Sequence, residues 1–65
     1  MRALTEGQML VLKRTVAGDD AKSCARSLGL SLDTIKDRRY EIIHRLDAKN
    51  MPHAVAIAFR KGILT

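Results

Sequence analysis

The stretch S-L-G-L-S-L-D-T-I-K, Ser27 to Lys36, decides the fold. Upstream of it Ala21, Cys24, Ala25 and Leu28 fall at i, i+3, i+4 and i+7, a narrow apolar stripe of helical period. Gly29 ends that helix. Ser31 is a good N-cap for the next one, and Leu30 and Ile35 stand at the positions of a hydrophobic staple. Two helices are therefore joined by the three residues Gly29-Leu30-Ser31. A short glycine-containing turn between two helices is the sequence signature of a helix-turn-helix. Caps, staple and turn all point the same way.

Outward from this junction the chain punctuates itself with Gly18, Gly29, Asn50 and Gly62. No alternating strand pattern, repeat or low-complexity tract interrupts the segments between them. Thr5 and Gln8 form a capping box, with Leu4 and Met9 as its staple and Gly18 as the left-handed residue past the end. Met9, Leu12 and Val16 are expected to share the inner face of that first helix. Asp19-Asp20 caps the second helix and favours the positive end of its dipole. Pro52 fits the first turn of the fourth, after Asn50. The expected fold is all-α: one four-helix bundle with a helix-turn-helix core, helices over about 6–17, 20–28, 32–46 and 51–61.

Composition narrows the function. A chain of 65 residues with a single cysteine, Cys24, forms no intramolecular disulfide. Cys24 with His44 and His53 has no zinc-site spacing, and Cys24 reads as a small buried apolar residue. The remaining way to stabilise so small a domain is a partner subunit. The N-terminus shows no signal-peptide core, and the longest apolar run, Ala54 to Phe59, is too short to span a bilayer. The expectation is a cytoplasmic protein with Cys24 reduced. No nucleophile motif or metal spacing points to an enzyme, and no cofactor is expected.

The net charge of +5 is unevenly placed. Residues 1–35 carry five basic and four acidic side chains, whereas residues 36–65 carry seven and three. A basic half suggests an anionic partner, nucleic acid first. Stepping about 100° per residue along the third helix sends Ile35, Ile42 and Leu46 inward, flanked by Leu32 and Ile43. Asp33, Lys36, Asp37, Tyr40 and His44 point outward, and Arg39 falls toward the apolar side. In a helix-turn-helix this second helix enters the major groove of double-stranded DNA. Lys36 can then donate to guanine, Asp37 accept from the cytosine amino group, and Tyr40 hydrogen-bond or meet a thymine methyl. Ser31 at the helix N-terminus, Thr34 and Arg38 suit phosphates, and Arg39 can reach either a phosphate or a carboxylate.

L-T-E-G-Q-M-L-V-L, then A-R-S-L-G-L-S-L-D-T-I-K-D-R-R-Y-E-I-I-H-R-L, then K-N-M-P-H-A-V-A-I-A-F-R-K-G-I-L resemble the LuxR/GerE-type helix-turn-helix domain without a gap from Leu4 to Leu64. The resemblance implies a four-helix DNA-binding domain that regulates bacterial transcription, usually as a dimer. It puts Lys36, Asp37 and Tyr40 at base-facing positions, and Thr34 and the region of Lys22 at backbone contacts. Leu10 stands where the family often has glutamate, Asp19 where it often has an apolar residue, and Asp37 is unusual at its position. The last domain of bacterial sigma factors is similar too, but the Ala54-Val55…Gly62-Ile63-Leu64 ending favours the LuxR/GerE type. Most members carry this domain behind a sensor or receiver. The 65 residues fit either an excised domain or a stand-alone regulator, and Met1 favours the latter.

Ala54 to Phe59 is apolar all round, more than one core can bury, and the excess suggests an interaction surface. Val55 and Phe59 are expected to face the core. Ala54, Ile57 and Lys61 are expected at a homodimer interface, with Ala58, at the boundary, counted there as well. The competing reading is a protein-interaction module that heterodimerises with a larger LuxR-type regulator or with the transcription machinery, RNA polymerase included. The acidic residues Asp33, Asp37 and Glu41 near the groove face lend it weight, because each repels phosphates unless paired.

Overall fold

The computed structural model describes residues 4–64. It holds four helices, α1 (Glu6–Val16), α2 (Ala21–Leu28), α3 (Leu32–Arg45) and α4 (Met51–Arg60), and no strand among the described residues. The fold class is all-α. Each helix starts on a side-chain cap. Thr5 Oγ1 accepts from Gln8 N–H at 3.2 Å while Gln8 Oε1 accepts from Thr5 N–H at 3.0 Å, which closes the capping box. Asp20 Oδ1 accepts from Ser23 N–H, Ser31 Oγ from Thr34 N–H, and Asn50 Oδ1 from His53 N–H. His53 adds a reverse contact, with Nδ1 accepting the Lys49 N–H at 3.0 Å.

The four helices also end alike. In each, an N–H just past the helix end returns to a carbonyl five residues earlier: Asp19 to Arg14, Leu30 to Ala25, Ala48 to Ile43 and Ile63 to Ala58. This closure requires a left-handed residue in the middle. Gly18, Gly29 and Gly62 supply it three times. Asp47 supplies it after α3 with φ 54, at a conformational cost that glycine avoids.

The core is built from Leu4, Val11, Leu12, Cys24, Ile35, Ile42, Leu46, Met51, Ala54, Ile57, Ala58 and Leu64. α3 runs through the centre, and α1, α2 and α4 each pack on it. Its stripe of Ile35, Ile42 and Leu46 faces inward, as the helical period requires, and Cys24 is fully buried. Leu30, by contrast, is exposed and closes little of a staple over Ile35.

Two helix phases differ from the sequence expectation. In α1 the inward residues are Gln8, Val11 and Leu12, while Val16 is 44% exposed. Gln8 belongs to the capping box and to a contact with α3, and those bonds turn α1 so that its C-terminal valine faces out. In α4 the expected faces exchange. Ala54, Ile57 and Ala58, assigned to a partner, are buried in the chain's own core. Phe59, assigned to the core, is 47% exposed, and Val55 is half-buried. α4 packs on α3 and buries its small alanines in the common core, where close packing of helices favours small residues over a phenyl ring. Lys61 remains exposed.

Candidate nucleic-acid interface

The Gly29 turn delivers the chain into α3 with φ 67 at the glycine, and Ser31 caps the new helix. Ser31 and Thr34 hydroxyls lie 2.8 Å apart, so the first turn of α3 is tied at its own surface. From there the outward face carries Asp33, Lys36, Asp37, Tyr40 and His44, all exposed. Lys36, Tyr40 and His44 are spaced by four and share one stripe. Tyr40 is 65% exposed, more than any other large apolar side chain described. Lys22 is exposed at the start of α2. Lys36, Asp37 and Tyr40 are therefore brought together on one face, next to the turn.

The two arginines diverge from that face, and both are half-buried. Arg38 lays its guanidinium over Gly7 in the first turn of α1, where a Cβ would collide with it. Glycine is a poor helix residue, and any larger residue at position 7 would oblige the Arg38 guanidinium to move aside. Arg39 lines a cleft with Thr15, Val16, Met51, Pro52 and Val55, nearer the core side of α3. Asp19 lines the same cleft but is engaged elsewhere: it accepts from Arg14 Nε at 2.7 Å and from Ser27 Oγ at 3.4 Å. The Asp19 carboxylate raises the Arg14 pKa, through the side-chain hydrogen bond first and its charge second. This pairing accommodates an aspartate at position 19.

A link not read from the sequence joins α1 to α3. Gln8 is 4% exposed, and its Nε2 donates to Glu41 Oε1 at 3.0 Å. Gln8 thus spends its oxygen on the cap of α1 and its nitrogen on α3, which satisfies a buried amide completely enough to fix the two helices in register. The capping box announces Gln8, but nothing in the sequence announces its second partner. The carboxylate of Glu41 is thereby paired, whereas Asp37 stands exposed on the outer face of α3. A second missed contact is the ring pair Tyr40–His44, with centroids 4.2 Å apart and planes at 61°. Its signal was present as aromatic residues at i and i+4.

Among the described residues no group of histidine, cysteine or carboxylate side chains is placed to hold a metal ion. No helix among the described residues is long and apolar enough to cross a membrane. The chemistry available to the face is hydrogen bonding and charge: one ammonium, carboxylates and a phenol on a rigid helix beside a capped turn.

Comparison with known proteins gives this arrangement a relation. The sequence pattern of the bacterial regulatory proteins of the luxR family, GerE, matches residues 2–58. The chain is 44% identical over 62 residues to the transcriptional regulatory protein YdfI of Bacillus subtilis (strain 168), covering 95% of this chain and 29% of that protein. It is 34% identical over 62 residues to the transcriptional regulatory protein FixJ of Rhizobium meliloti (strain 1021), covering 95% and 30%. The chain thus spans less than a third of the length of either relative.

Proposed function

The chain belongs to the luxR family of bacterial regulatory proteins, and from that membership we propose that it is a sequence-specific double-stranded DNA-binding module of transcription regulation, working in the cytoplasm as a homodimer. The observation that carries the reading is the exposed Lys36–Asp37–Tyr40 face of α3 directly behind a capped helix-turn-helix junction. α3 lies in the major groove. Lys36 donates to guanine O6 or N7, Asp37 accepts from a cytosine amino group, and Tyr40 meets a thymine methyl or a base edge. Lys22, Ser31 and Thr34 take phosphates, and Arg38 reaches them from the α1 side of α3. Arg39, turned into the cleft between α1 and α4, is left out of this set.

Asp37 is the selective element. A carboxylate among phosphates is repelled unless a base amino group meets it, so it penalises wrong sequences more than it strengthens right ones. The dimer forms through the exposed strip of α4, Pro52, Ala56 and Phe59, with Lys61 at its edge. Burying Phe59 supplies the stabilisation that a domain this small lacks. Two-fold pairing there spaces two recognition helices for an inverted repeat.

The test is equilibrium binding to a selected duplex at several salt concentrations. Lys36→Ala combined with Tyr40→Ala abolishes specific binding, and Asp37→Ala relaxes selectivity while tightening binding. Unchanged binding by the double variant overturns the recognition-helix assignment. The exposure of Val16 and Phe59 also favours a second reading, in which the chain pairs with a larger regulator of its family and modulates it. A stable heteromeric complex, with no DNA retained even at low salt, distinguishes that reading.

A further inference from the structure

We infer that His44 is a positioning residue for Tyr40: it holds the tyrosine ring in the orientation that reads DNA. The inference rests on the DNA-reading function proposed above. Tyr40 is 65% exposed on α3. A tyrosine on a helix surface populates two χ1 wells, and only one can present the phenol to a given base. The His44 ring stands one turn further along α3, with its centroid 4.2 Å from that of Tyr40 and a 61° angle between the planes. This edge-to-face arrangement is the favoured one for neighbouring rings.

Both rings border a shallow recess whose other walls are Gln8 from α1 and Glu41 and Arg45 from α3. The Glu41 carboxylate is drawn toward Gln8 on α1. His44 is exposed and contributes nothing to the core. Its contact with Tyr40 removes in advance rotamer freedom that binding would otherwise have to remove, which is how preorganisation raises affinity. His44 therefore acts through Tyr40 and not by touching the base itself.

Two readouts test this on the whole chain. The first needs no DNA: three-bond couplings across the Tyr40 χ1 bond, measured by NMR. They report one dominant rotamer in the wild type, averaging in His44→Ala, and recovery in His44→Phe, which keeps a ring at the same place. Identical couplings in wild type and His44→Ala overturn the proposal. The second readout is affinity for a selected duplex. His44→Ala weakens it roughly threefold to tenfold, the size of one ring–ring contact. His44→Phe restores it, and the loss vanishes in a Tyr40→Ala background. An undiminished loss in that background means that His44 contacts DNA directly, and it overturns the positioning role. A wild-type chain that retains no duplex fails the DNA reading and removes this role with it, while the couplings still report separately whether His44 orders Tyr40. Circular dichroism of both exposed-site variants confirms that α3 is intact.

Discussion

Replacing Gln8 by alanine is the sharpest probe of how α3 is held. The side chain is buried and makes two hydrogen bonds, one to the Thr5 N–H and one to Glu41 Oε1. The first is worth about 1 kcal/mol net. The second has a charged acceptor, but Glu41 is exposed, so it too is taken as about 1 kcal/mol, below the range for buried charged bonds. Losing one buried methylene adds about 0.8 kcal/mol. Against this, alanine recovers roughly 1 kcal/mol of side-chain ordering. The net expectation is a loss of about 2 kcal/mol, or roughly 8–16 °C in Tm for a domain of this size. Thermal and urea unfolding followed by circular dichroism measure it. Glu41→Ala, made alone and together with Gln8→Ala, isolates the link between helices, with an expected coupling of about 1 kcal/mol. A loss below about 0.5 kcal/mol, or strict additivity of the two substitutions, would refute the claim that this amide fixes α1 to α3.

Other perturbations follow from single features. Asp47→Gly relieves the left-handed backbone after α3 and is expected to stabilise the domain by about 0.5 kcal/mol, read as a higher urea midpoint; an unchanged or lower midpoint contradicts it. Asp20 is held below its ordinary pKa of 3.8, first by the backbone hydrogen bond from Ser23 and then by the Ser23 side chain. Its folded pKa is depressed, so its contribution is present above pH 3.8 and is lost as the pH falls through the lower folded value. Asp20→Asn keeps the cap but flattens that acid limb, and an unaltered stability–pH slope argues against it. Phe59→Lys is expected to leave helicity intact and yield monomers in sedimentation equilibrium with weakened binding to an inverted repeat; persistent dimers place the interface elsewhere.

Local signals were the legible part of this sequence. Capping residues and punctuating glycines act within a few residues, so Thr5, Asp20, Ser31 and Asn50, with Gly18, Gly29 and Gly62, could be read one by one. The outward set of α3 was legible because Ile35, Ile42 and Leu46 fix the phase of its apolar face, with Arg39 the charged residue that falls toward it. α4 was not, because Ala54 to Phe59 offers no polar residue to fix the phase. There packing in the common core decides, and it buries Ala54 and Ala58 while Phe59 turns out. Gln8–Glu41 and Arg38 over Gly7 were hidden for another reason. They join residues distant in sequence, and only the packing of α1 on α3 brings them together.

The proposed α3 face reads DNA as part of a two-fold pair. Selection of bound sequences from a pool of random duplexes tests it most directly. An inverted repeat with half-sites about one helical turn apart is expected to be enriched, and preference at defined positions is expected to be lost on substituting Lys36 or Asp37. A pool that stays random under low-salt selection, or a consensus untouched by both substitutions, would contradict it.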